Sequence, residues 1–297
     1  MTTIDTTDVR ALEVLADQLQ EQGDVRGEFM ALQCRQAEGA LSAAGRRRLF
    51  ELRRHHHKSL LGELNGLVTR ARFKRGLLHS GALHFSRKQL DATWDSPRWA
   101  TLEIIDLQYE SGRYFRERQA RFFNSRPALH SILSLGRVPD AACPRITAVA
   151  TSTFRSQLDD LANAFPNLKR LSLTGIFPSA KDLWTHRSVR QLDLLVLSGM
   201  FHSALELSWE QDVLRLENLG SLEDGMLELI KEGPPLRTFE VPQDFEWYLV
   251  EDNSPLPKLI EAAEMRGARV LIKERLEERF VADRWASFPA QLLSAAT

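Results

Sequence analysis

Apolar positions along this chain recur with two different periods. In the first stretch, Val9, Leu12, Leu15, Ala16 and Leu19 fall three and four apart, the spacing of one helical face. Thr7 is the expected N-cap, Asp8 places a negative charge in the first turn, and Gly23 offers the left-handed backbone that ends many helices. Val25, Phe29 and Leu32 mark a second helix. Leu49, Leu52 and Leu60 mark a third, from about Ala43 to Leu61. Three short helices are too small a unit to be stable without packing on a later part of the chain.

Further along, the pattern changes to L-x-x-L-x-L with other apolar residues allowed in the leucine slots. The best matches are Leu102/Ile105/Leu107, Leu168/Leu171/Leu173, Val189/Leu192/Leu194 and Leu236/Phe239/Val241. A unit of about 22 residues divides the gaps between them, inside the leucine-rich-repeat range. Weaker copies fall at Leu83/Phe85, Leu133/Leu135, Ile146/Val149, Leu214/Leu216 and Val270/Ile272. Alternate inward residues of each short strand bury one face, and neighbouring units must stack because none can bury its own. The usual asparagine past the last leucine is absent, replaced by Glu110, Ile176, Leu197 and Asp244, so an irregular stack is expected. The tail carries Leu276, Phe280 and Trp285 among charges and reads as a capping helix. The predicted fold is therefore α/β, an irregular leucine-rich-repeat-like solenoid with an N-terminal helical domain and a C-terminal helical cap. Its parts are a helical module at 1–66, the solenoid at 67–272, and a cap and tail at 273–297. The competing reading is a mixed α/β domain whose strands happen to be leucine-rich.

The segment from Ala16 to Gln33 resembles the bacterial repeat-companion domain found ahead of leucine-rich repeats. The positions that carry the likeness are Ala16, Asp17, Leu19, Gly23, Asp24, Arg26, Gly27, Glu28, Phe29, Leu32 and Gln33, continued by 57–64 and by Phe73-Lys74-Arg75-Gly76. Gln18 and Val25 depart from the family's tryptophan and proline. The resemblance implies a helical module in a bacterial protein and carries no activity. Read physically, Asp24 caps the next helix, Phe29 and Leu32 anchor the core, Asp17 is placed to bridge to Arg26, and Arg26 and Glu28 are free to pair with neighbouring helices.

Composition narrows the function classes. Of 297 residues 46 are leucine, and the net charge of -1 excludes a uniformly basic nucleic-acid binder. No apolar run approaches the ~18 residues of a membrane span, and the N-terminus has no apolar signal core. Two cysteines make no disulfide framework, which suits a reducing cytoplasm. Charge is nonetheless segregated: residues 45–126 hold 18 Lys/Arg against 8 Asp/Glu, while 201–261 hold 4 against 14.

Candidate chemistry is sparse. No phosphate loop, nucleophile elbow or paired-cysteine ligand set is present. Consecutive helical side chains diverge by about 100°, so His55, His56 and His57 do not converge on one ion. Cys143 stands before Pro144 without a visible base, and Cys34 reads as a small core residue. No cofactor, metal or catalytic set is expected. The expected function is a non-catalytic scaffold that binds a protein partner on the concave strand face. The outward positions would be Asp106, Gln108, Arg170, Ser172, Thr174, Gln191, Asp193, Arg215, Glu217, Thr238 and Glu240. The alternative is an anionic partner, nucleic acid included, on Arg46, Arg47, Arg48, Arg53, Arg54, Arg72, Lys74 and Arg75.

Overall fold

A computed structural model describes residues 8–84, 87–107, 115, 117–151, 158–174, 186, 189–198, 204–208, 213–218, 227, 230–231, 237–242 and 256–273. Asp8 is the N-cap of the first helix, α1 (Val9–Glu21), its carboxylate accepting from the Ala11 amide at 3.1 Å. The expected cap, Thr7, lies outside the described residues. Gly23 then turns the chain with φ 71°, and Asp24 caps α2 (Val25–Ala37) by accepting from the Arg26 amide at 2.9 Å. The two helices touch closely at Gly27, where an added Cβ would lie 2.5 Å from the Ala16 carbonyl oxygen. Only a residue without a side chain permits that approach.

The third helix is shorter than its pattern suggests. Ser42 caps α3 (Ala43–His55), but His56 leaves helical geometry at φ -115°, ψ 17°, and a separate short helix, α4 (His57–Leu61), comes next. Leu52 and Leu60, one from each helix, bury themselves against Phe29, with Val25, Leu32, Leu49 and Phe73 around them. Phe73 belongs to the first strand, so the helical core is completed by the sheet.

That sheet begins with a hairpin, β1 (Val68–Lys74) antiparallel to β2 (Leu77–Leu83), and continues in parallel with β3 (Ile104–Asp106) and β4 (Ser131–Leu135). Gln33 ties α2 to the hairpin: its amide nitrogen donates to the Phe73 carbonyl at 3.2 Å, and its oxygen accepts from the Gly76 amide at 2.6 Å. Two short helices, α5 (Arg87–Thr93) and α6 (Gln119–Asn124), lie on the returns between strands. In β4, Ile132 pairs with Ile105, while a left-handed φ of 53° at Ser134 shifts the phase so that Leu135 is buried. The chain divides into two compact units between Leu133 and Ser134, and within the first the helices share their core with β1 through Phe73.

Among the described residues the second unit holds seven strands: β5 (Ala148–Thr151), β6 (Arg170–Thr174), β7 (Leu194–Ser198), β8 (Ala204–Ser208), β9 (Val213–Asn218), β10 (Thr238–Pro242) and β11 (Arg269–Lys273). Pairing is parallel except where β8 runs antiparallel to β7 and β9, and the sheet is not closed. Helices α7 (Leu158–Ala164) and α8 (Leu256–Met265) precede β6 and β11. Parallel neighbours recur at about 22 to 31 residues, near a leucine-rich-repeat unit. One apolar row runs through Val149, Leu171, Leu195, Leu207, Leu214, Phe239 and Val270 by register.

That register corrects the third repeat. Leu194 pairs with Arg170 and Leu195 with Leu171, so the phrase is Leu192/Leu195/Leu197, not Val189/Leu192/Leu194. Both triplets are apolar, and only the backbone pairing distinguishes them. The predicted cap at 273–297 lies, apart from Lys273, outside the described residues.

Gly27→Ala is expected to destabilise the protein by about 1–3 kcal/mol through overpacking at the α1–α2 contact. Gly39→Ala serves as the control, since its added Cβ meets nothing within 4 Å and only backbone strain at φ 73° remains. A urea midpoint for Gly27→Ala equal to that of the parent would show that the α1–α2 contact tolerates a side chain there.

Candidate functional site

The expected strand-face residues do not form one open surface. Asp106, Ser172 and Glu240 are buried, at 3%, 1% and 5% exposure. In the second unit the register row opposite the apolar one runs through Ala150, Ser172, Val196, Glu206, Arg215, Glu240 and Leu271. Ala150 and Val196 in that row are also buried. The sheet is therefore covered on both sides at Ala150, Ser172, Val196 and Glu240, and alternation along a strand does not mark solvent there. Gln191 and Asp193 precede β7 rather than lie on it, because of the register slip at that repeat; both are exposed. Asp193 stands 3.5 Å from Lys169 across the rim. Arg170 is exposed and Thr238 partly buried. Thr174, Arg215 and Glu217 occupy strand positions, and Gln108 lies outside the described residues.

The basic residues of the first unit are accessible. Arg46, Arg47, Arg48, Arg53, Arg54, Arg72 and Lys74 are exposed, and Arg75 is partly buried. Some of this charge is already matched. Arg48 forks onto Glu28 with two contacts of 2.7 Å and reaches Glu51 at 3.7 Å, which holds the Glu28 carboxyl below its ordinary range. Lys74 stands 3.6 Å from Glu103. Arg26 pairs with its neighbour Asp24 and not with Asp17, and this hydrogen bond lowers the Asp24 carboxyl against the opposing effect of burial. Arg47, Arg53, Arg54 and Arg72 make no ion pair with any described residue.

On α3 these charges surround an apolar ring. Leu52 is fully buried and Leu49 partly so, which turns Phe50, about 100° around the helix, outward; it is 65% exposed. Arg46, Arg47, Arg53 and Arg54 lie three or four residues either side of it, on the same face. Phe50 is the residue that a reading of charge alone passes over. Its signal is present in the sequence, since Leu49 and Leu52 already fill the inward positions.

Two other polar groups are structural. Arg126, 5% exposed, lies over Phe122 at 4.6 Å and over Trp94 and Trp99 at 5.4 Å each, and donates to the Trp94 carbonyl at 2.6 Å. Burial lowers its pKa to about 10, still well above neutrality. His79 sits with its Nδ1 3.4 Å from Glu103, and burial depresses its pKa. Glu103 opposes that shift, while Lys74 and His130 reinforce it.

The thiols are inert in setting. Burial raises Cys143 to about 11 and also raises Cys34. The three histidines occupy different backbone settings: His55 ends α3, His56 lies between helices, and His57 opens α4. No helix among the described residues is long and apolar enough to cross a membrane. Comparison with protein-family models, curated proteins and solved structures finds no match for the chain.

A histidine whose pKa is lower in the folded state contributes stability above its unfolded pKa and loses it as the pH falls below. The protein should therefore weaken below about pH 6.5, and His79→Gln should flatten that part of the profile. Urea midpoints at pH 7.5 and 5.5 test this; an equal acid loss in the variant would assign the effect elsewhere. Native protein should also react slowly at Cys34 and Cys143 with a thiol reagent at pH 8, and rapidly once unfolded.

Proposed function

We propose that this chain is a non-catalytic interaction protein that holds an anionic partner on the outer face of α3. In this reading the strands derive from an irregular leucine-rich-repeat-like stack, the helices from a repeat-companion module, and the tail at 273–297 from a cap. The step of about 22 to 31 residues between parallel strands, near a leucine-rich-repeat unit, supports the repeat origin. The burial of Asp106, Ser172 and Glu240 argues against the strand face as the docking surface.

One observation carries the choice of α3. Its first turn contains no acidic residue, yet Arg46 closes that turn and Arg47 and Arg48 follow it directly. Positive charge near a helix N-terminus opposes the macrodipole, whereas Arg53 and Arg54 at the other end favour it. Helix stability accounts for the second pair and not for the first cluster. Arg48 is engaged by Glu28 and Arg46 donates to the Leu41 carbonyl at 2.8 Å, which leaves Arg47 as the charge at that end with no hydrogen-bond or ion-pair partner among the described residues. An anionic partner would supply the missing favourable term.

A polyanion resin tests the proposal. The full chain should be retained at low salt and elute as salt rises, and replacing Arg46, Arg47, Arg53 and Arg54 together by glutamine should abolish retention while the circular dichroism spectrum is unchanged. Equal retention of the quadruple variant would move the binding surface away from α3.

A further inference from the structure

We infer that the α3 face takes a single-stranded nucleic acid, with Phe50 as a stacking platform for a base; this rests on the proposal that α3 holds an anionic partner. Phe50 stands in the middle of the stripe and is 65% exposed, whereas the other large apolar residues of α3, Leu49 and Leu52, serve the core. The ring has no packing duty that would explain a phenylalanine there. Four guanidinium groups flank it. Arg46 also donates to the Leu41 carbonyl at 2.8 Å, and no carboxylate neutralises any of the four among the described residues.

The residue types point to phosphate and base together. The positive charge on α3 is carried by arginine apart from the terminal histidine, with Glu51 beside Arg48 the one acidic residue, and arginine both forks onto phosphate oxygens and lies flat against a base. Arg46 and Arg47 stand seven residues from Arg53 and Arg54, about 10 Å along the axis, with Phe50 between them. Phosphates held at the two ends leave the intervening base over the ring. A duplex has no free base face to offer, because its bases are already stacked on one another. A purely acidic peptide would satisfy the arginines and leave the ring in water. Arg70 and Arg72 on β1 add positive charge to the same unit.

Fluorescence anisotropy of the full chain separates these cases. The probes are a labelled mixed-sequence 20-nucleotide single strand as RNA and as DNA, a DNA duplex of the same sequence, and a poly-glutamate peptide, each across 50–300 mM salt. Four phosphate contacts predict a slope of about -3 in log K against log salt for the single strands. Phe50→Ala should weaken single-strand binding about tenfold, the loss of one stacked base, with that slope unchanged, and Phe50→Trp should restore affinity. Arg47 and Arg54 changed together to glutamine should reduce the slope by about 1.4. A duplex bound as tightly as the single strand, or a Phe50→Ala variant with parental affinity, overturns the single-strand assignment while the anionic-partner reading stands. Binding of poly-glutamate without binding of nucleic acid does the same. Failure of every probe to bind overturns both.

Discussion

The contact between Phe29 and Phe73, edge to face at 5.4 Å, is the joint on which the first unit depends. The helices α1 to α4 present too little apolar surface to fold by themselves, and the hairpin of β1 and β2 offers only one more layer. Their rings meet with Leu52 and Leu60 around them, so each half supplies the apolar face that the other lacks. Gln33 fixes the alignment of that joint, because its side chain occupies one carbonyl and one amide on either side of the hairpin turn. Gly76 permits the close approach: its φ of 80° is left-handed, and an added Cβ would fall 2.5 Å from the Cβ of Met30. The conspicuous phrase around Phe29 and Gln33 thus acts as an adhesive between helices and sheet.

The second unit obeys a different constraint. Parallel strands need both sides of the sheet shielded, and the buried positions Ala148 to Thr151 of β5 show this along a whole strand. Polar side chains are carried into that covered layer at Ser172 and Glu240. Those positions are therefore committed to structure, whereas Arg170 at the start of β6 and Gln191 and Asp193 ahead of β7 are exposed.

Much of this architecture could be read from the chain alone. The helices at Val9 and Val25, the switch in period and most inward leucines are legible from spacing, because burial imposes 3.6-residue and two-residue repeats on the sequence. Three features could not be read in that way. The break at His56 has no proline or glycine to announce it. The slip from Val189/Leu192/Leu194 to Leu192/Leu195/Leu197 passes between two equally apolar triplets, and hydrogen-bond pairing, which leaves no compositional trace, decides between them. Alternation along a strand points Asp106, Ser172 and Glu240 to solvent, yet they are enclosed, because the period of one strand does not say whether its second face is covered. For the candidate site the arginines were visible from charge, whereas Phe50 emerged only once its neighbours' inward positions were fixed.

Arg126 is held by rings and a carbonyl where most cations in proteins rely on a carboxylate. Dissolved ions weaken attraction between charges that both face water, but they do not reach a guanidinium enclosed by Trp94, Trp99 and Phe122. The first unit thus contains two electrostatic regimes, one open to the ionic medium and one sealed from it. Salt that screens the outer arginines leaves the inner clamp untouched, so the hold on Arg126 persists in brine.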